Sequence, residues 1–193
     1  DMMETYHHEF TRLNSGHYMV AGNEPVTVAL NADTADLKGL SIPMLRVINK
    51  KAHRKLNLGT IIEFDEKGNE VWVWKASEHL IDDTAFLHRI PRDPNEINPH
   101  MNSFYFDEKN KYIYISFKNP HYIVKISYPS GQVIAKYKGA STTPPLFLGQ
   151  HAVGVNNDGD MMLFDNNHWS FKNKNSEQIS YLGVYKEKDG TLE

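Results

Sequence analysis

At 193 residues, with 40% hydrophobic and 23% charged side chains, the chain has the composition of an ordinary soluble protein able to bury a core, as one domain or a closely packed pair. A formal net charge of −3 provides no global positive field for nucleic acid, and no apolar run approaches the roughly 20 residues of a membrane helix. Cysteine is absent, which removes disulfides, thiolate catalysis and cysteine-ligated metals and leaves the compartment open. No signal peptide is visible, and a start at Asp1-Met2-Met3 suits a processed or trimmed N-terminus.

In chain order, Tyr6 to Leu13 alternates partly, Asn14-Ser15-Gly16 supplies turn chemistry, and His17 to Gly22 completes a hairpin. Residues 24–57, punctuated by Pro25, Asn31, Asp33, Gly39 and Pro43, read as an insertion between strands. Within it, the basic cluster from Lys50 to Lys55 reads as a solvated loop face. Thr60 to Asp65 and Glu70 to Trp74 form the next hairpin around Gly68. Ala76 to Pro99 is a long connection with one expected helical turn near Asp82 to Leu87. A third hairpin joins Ser103 to Phe106 and Tyr112 to Phe117 through a polar turn. Tyr122 to Ile126 and Gln132 to Tyr137 pair around Gly131, Gln150 to Val155 and Asp160 to Asp165 around Gly159, and a last strand spans Ile179 to Tyr185.

These hairpins form a repeat of four strands. The first pair of each unit starts with a histidine: His8 stands eight residues before Gly16, His151 eight before Gly159, and His100 before a turn about two residues longer. The second pair closes at Gly68, Gly131 and Gly190, spaced by 63 and 59 residues. Near-equal four-stranded antiparallel units predict an all-β fold, a β-propeller, rather than a β-sandwich, which does not place the same residue on equivalent strands. About three blades are expected within 1–193: 6–75 with the insertion 24–57, 100–138, and 150–193, the last short of its outermost strand.

Innermost propeller strands run along the central channel, so His8, His100 and His151 are expected to converge at one mouth. Imidazoles there can bind an anion, shuttle protons, act as nucleophiles or hold a metal; alternatively each caps its own strand. His7 is expected to point away from His8, and His17, His53, His79, His88 and His121 to be surface or turn residues.

His100-Met101-Asn102-Ser103, then Ile113 to Ser116, Ile123 to Ile126, Ser130 to Val133, Gln150-His151, Asp158-Gly159 and Leu163-Phe164-Asp165-Asn166 together resemble the aryl-sulfate sulfotransferase family. The opening His7-His8-Glu9-Phe10 is similar to an earlier blade of those proteins. The resemblance implies a six-bladed periplasmic propeller that moves a sulfuryl group from a phenolic sulfate ester to a phenol through a histidine intermediate, with no cofactor. It implies that His100 and His151 bind the sulfate oxygens and that Asn102 supports them. The family's sulfate-binding arginine follows the Phe-Asp-Asn triplet, whereas this chain continues Asn167-His168-Trp169-Ser170-Phe171-Lys172; His168 or Lys172 could substitute. No residue here matches the family's nucleophilic histidine, which lies in a later blade. The implied partners are an aryl sulfate, a phenol, and either further blades or a second copy. Two other readings stand beside this one: a non-catalytic propeller that binds an anionic or aromatic ligand or a protein, and a metal held by His8, His100 and His151.

Overall fold

A computed structural model describes residues 5–29, 45–48, 51–83, 86–87, 98–167 and 179–193. The first sheet contains β1 (Thr5–Arg12), β2 (Tyr18–Ala29), β3 (Leu45–Ile48), β4 (Lys51–Phe64) and β5 (Glu70–Lys75), in the order β1-β2-β4-β3 with β5 also paired to β4. After a short helix α1 (Ala76–His79), the second sheet is a four-stranded meander of β6 (Met101–Asp107), β7 (Tyr112–Phe117), β8 (Tyr122–Ser127) and β9 (Val133–Lys138). The third contains β10 (His151–Val155), β11 (Met161–Asp165) and β12 (Tyr181–Tyr185), followed by a ribbon of β13 (Glu187–Lys188) and β14 (Thr191–Leu192). All pairings are antiparallel. Lys186, between β12 and β13, exchanges both backbone hydrogen bonds with Glu193, so the ribbon prolongs β12.

Asx chemistry closes the hairpins where the sequence places it. Asp65 Oδ1 accepts from the N–H groups of Lys67 and Asn69, Asp107 Oδ1 from Asn110, and Asn156 Oδ1 from Asp158 and Asp160. Each carboxylate or amide thus satisfies turn donors that the ladder leaves unpaired.

Residues 24–57 depart from the sequence expectation. The β2–β4 pairing runs unbroken from Tyr18↔Phe64 to Ala29↔His53, so the ends of this segment extend the two strands instead of interrupting them. Val28, Leu56 and Leu58 bury their side chains along the extension, giving it an apolar face. Pro25 stands within this ladder, opposite Asn57. The basic cluster expected in a loop lies largely on β4.

The second sheet is covered on both faces, and its side chains alternate accordingly. Ile113, Ile115, Phe117, Val124 and Ile126, with Phe104 of the same sheet, pack toward Met19, Ile61 and Trp74 of the first. Tyr114 and Ile123 face the other way, against Val153, Met161 and Leu163 of the third sheet. Indole donors fix the first contact: Trp72 Nε1 donates to Pro129 O at 2.7 Å and Trp74 Nε1 to Gly131 O at 3.1 Å. Gly131 has φ +71° with Trp74 against it, a left-handed position a side chain would strain. Lys125 Nζ ties the third sheet to the second through Glu187 Oε2 at 2.7 Å.

The helical turn expected near Asp82 to Leu87 is present in its described part. Leu87 N–H donates to Asp83 O, and Asp83 Oδ1 accepts from Phe86 N–H. Asp83 Oδ2 accepts from Tyr122 O–H at 3.0 Å and Lys136 Nζ at 2.8 Å, and Phe86 is fully buried against Phe117 and Tyr122. This turn therefore docks the connection onto the second sheet.

Candidate functional site

Strand β6 lies between β1 and β10, so the first strands of the three sheets are neighbours. Each breaks register near its histidine. Pairing in the first sheet jumps from Tyr6↔Gly22 to Phe10↔Val20, in the second from Met101↔Phe117 to Ser103↔Ser116, and in the third from His151↔Phe164 to Gly154↔Met162. A non-glycine residue adopts a left-handed backbone within the first and third breaks, His8 at φ 62° and Ala152 at φ 51°, and just before the second, His100 at φ 56°. Such positions are costly for residues bearing a Cβ, and bulges of this kind re-aim side chains.

The bulges bring the three histidines together. Ring centroids of His8 and His100 are 5.4 Å apart, and those of His100 and His151 are 6.3 Å apart. His7 does not point away from His8, as an extended strand would require; the rings meet edge to face at 4.8 Å because His8 is not extended. His7, His8, Asn23, Asn98, His100 and Met101 line a cavity of about 90 Å³. Among the described residues neither His7 ring nitrogen nor Asn98 Oδ1 has a hydrogen-bond partner, an unmet demand that a polar ligand or water would satisfy.

The residues beside the histidines act as staples between sheets. Asn102 is buried and donates from Nδ2 to Gln150 O at 2.7 Å, immediately before His151. Ser103 Oγ accepts from Val153 N–H at 3.1 Å. Gln150 is fully buried, with Nε2 directed at Ser116 Oγ, Phe117 O and Tyr122 O. Asp165, also fully buried, accepts from the N–H groups of Leu148 and Asn167 through Oδ1. In the motifs around His100 and His151 one residue faces the shared space while its neighbours lock the second and third sheets together.

Electrostatics favour neutral imidazoles. Burial, followed by the charges of Lys118, His8, His151 and His7, pushes His100 down to about 4. Burial also lowers His151, helped by Lys118 and opposed by Gly149 O, which would accept from the charged ring. His8 is lowered by burial, then by His7 and His151. Near neutral pH each ring therefore offers one N–H and one lone pair, a set suited to hydrogen-bonding an anion or moving a proton.

Lys118 was not singled out by sequence. It follows Phe117, the partner of Met101, and its N–H donates to His100 O at 2.9 Å, so the hairpin register was the available signal. Asn166, the last residue of the Phe-Asp-Asn triplet, contacts His151 Nδ1 at 2.9 Å. His168 and Lys172, the proposed substitutes for the arginine, lie outside the described residues. Among the described residues no group of three His, Asp or Glu could hold a metal ion, so the metal reading lacks a donor set there. No described helix is long and apolar enough to cross a membrane.

A comparison with curated proteins found no match. Residues 44–191, which include His100, Asn102, Lys118, His151 and Asn166 but not His8, match the Arylsulfotransferase (ASST) family. A match over that span, on a chain whose histidines gather at the first strands of successive antiparallel sheets, places this protein in the arylsulfotransferase family.

Proposed function

We propose that the sheets are successive blades of a six-bladed propeller and that the histidine cluster binds the sulfuryl group of an aryl sulfate for transfer to a phenol. In this reading N–H groups of His100 and His151 hold the sulfuryl oxygens, His8 completes the rim, and Asn102 holds Gln150 and hence His151 in place. As the S–O bond to the aryl group breaks, its electron pair leaves as phenolate, while a bond forms between sulfur and the incoming nucleophile. Negative charge on the oxygens is then offset by N–H donors and by the Lys118 cation. The covalent histidine of the family has no match in 1–193 and is supplied from outside these residues. A periplasmic location accompanies this reading.

The observation that carries it is the convergence of His8, His100 and His151 from three sheets, within 5.4 and 6.3 Å of one another, in an arylsulfotransferase chain. The absence of arginine from residues 167–193 favours a second reading, a site that binds an anionic aromatic ligand without turning it over. Calorimetric titration of 4-nitrophenyl sulfate tests the binding step. Each of His100→Ala and His151→Ala is expected to weaken binding about tenfold, one charge-assisted hydrogen bond apiece. Unchanged affinity in both variants would move the site elsewhere. Release of 4-nitrophenolate in the presence of a phenol, by the chain with its further blades, separates transfer from binding alone.

A further inference from the structure

His151 is held at one ring nitrogen. Its Nδ1 lies 2.9 Å from Asn166 Nδ2 and 3.1 Å from Gly149 O. These neighbours make opposite demands: an amide N–H needs a lone pair at Nδ1, and a carbonyl needs a proton there. A third contact decides between them. Asn166 Nδ2 is 2.6 Å from the same Gly149 O, a distance that suits N–H···O=C and would set two oxygens against each other if the amide were turned around. Gly149 O therefore already has a donor. If Nδ1 also carried a proton, it would face an Asn166 N–H across 2.9 Å.

We propose that Asn166 is a positioning residue that fixes neutral His151 as its Nε2–H tautomer, so that the nitrogen turned away from Gly149 is a hydrogen-bond donor. Among the described residues Nε2 makes no hydrogen bond of its own, which leaves that donor for a ligand. Burial and Lys118 keep the ring neutral, so its single proton must sit on the correct nitrogen for an anion to be bound at all. Asp165 steadies this arrangement, since its Oδ1 holds the backbone on either side of the pair at Leu148 and Asn167. The tautomer stands on these contacts alone; only its use as an anion donor rests on the proposed function.

The test is a two-bond ¹H–¹⁵N correlation spectrum of the ¹⁵N-labelled chain at pH 7, with His151 assigned by its loss in His151→Gln. The expected pattern is the Nε2–H form, and the Nδ1–H form in the unmodified chain overturns the proposal. In Asn166→Ala the proton is expected to move to Nδ1, facing Gly149 O, and retention of Nε2–H would remove the role given to Asn166. Titration with inorganic sulfate supplies a second readout. Asn166→Ala is expected to lose about tenfold in affinity at pH 7. That loss should disappear below the His151 midpoint, where both nitrogens carry protons; the surrounding His8, His100 and Lys118 are the same in both proteins. A loss that persists in acid means a merely structural effect and contradicts the proposal. If Nε2–H is found but sulfate binds neither protein, the proposed function fails and the tautomer assignment survives.

Discussion

Replacing Gln150 by Met would test whether the Gln-His pair joins a clamp to a ligand-facing residue. Gln150 is 0% exposed and its Nε2 lies 3.2 Å from Ser116 Oγ and 3.1 Å from both Phe117 O and Tyr122 O. Two hydrogens can serve two of these three acceptors at once. Methionine nearly matches the side chain in length and volume, so little cavity forms and the change isolates the polar contribution. Buried acceptors left without partners cost about 1–3 kcal/mol each. Gln150 Oε1 already lacks a partner among the described residues, and its removal returns part of that cost. The net expectation is a loss of about 2 kcal/mol. Urea denaturation of the two proteins, with equal slopes, reads it as a shift in midpoint. Sulfate affinity should fall as well, because His151 follows directly on the loosened residue. A stability change within about 0.5 kcal/mol, the size of an ordinary surface substitution, would refute the clamp.

Three further outcomes follow from the same contacts. His100 falls from 6.5 to about 4 on folding, so the unfolded chain takes up a proton first and stability should drop as pH falls through that window. The full shift corresponds to about 3 kcal/mol, which partial exposure of the ring reduces to about 1–2 kcal/mol; His100→Gln should lose less than the unmodified chain between pH 7 and 4.5, and equal losses would contradict the burial argument. Burial raises the carboxyl of Asp83, but Lys136, Phe86 N–H and Tyr122 O–H outweigh it and hold the group below its usual range. Its contribution is therefore present above the unfolded value of 3.8 and lost as pH falls through the lower folded one; at pH 7 Asp83→Ala should cost about 2–3 kcal/mol in urea, and a neutral result would undo its docking role. Phe164, Leu182 and Val184 share an exposed face of the third sheet, and Tyr6 and Phe10 are exposed on the first. Sedimentation should detect concentration-dependent association of the 193-residue chain, reduced in Leu182→Lys, whereas a monomer at every concentration would mean that these faces need no cover.

Local chemistry made much of the fold legible. The turns around Gly68 and Gly159 and the polar turn after Phe106 were legible because their closure is local: Asp65, Asp107 and Asn156 accept from backbone donors two to four residues on, without tertiary help. The aromatic and β-branched run from Tyr112 to Phe117 announced a strand, although only packing reveals that both faces are covered. The histidine trio was legible because a repeat position survives folding. His7 was not: a bulge changes which way a residue points, and bulges leave no mark in composition. The extension through 24–57 was hidden by Pro25, a residue that reads as a break in sequence although it stands opposite Asn57 in the ladder. Lys118 and Asn166 stand beside His100 and His151 across their own hairpins, so the strand register, not adjacency in sequence, brings them to the site.

The most direct test of a shared anion site is a titration of the ¹⁵N-histidine-labelled chain with inorganic sulfate at constant ionic strength. His100 and His151 should both shift along one saturating curve, because their rings lie 6.3 Å apart at a common space. His17, which is engaged with Glu63 at 2.7 Å elsewhere on the first sheet, should not move. Silence at His100 and His151, or separate midpoints for the two, would contradict a single sulfuryl-binding site formed between the second and third sheets.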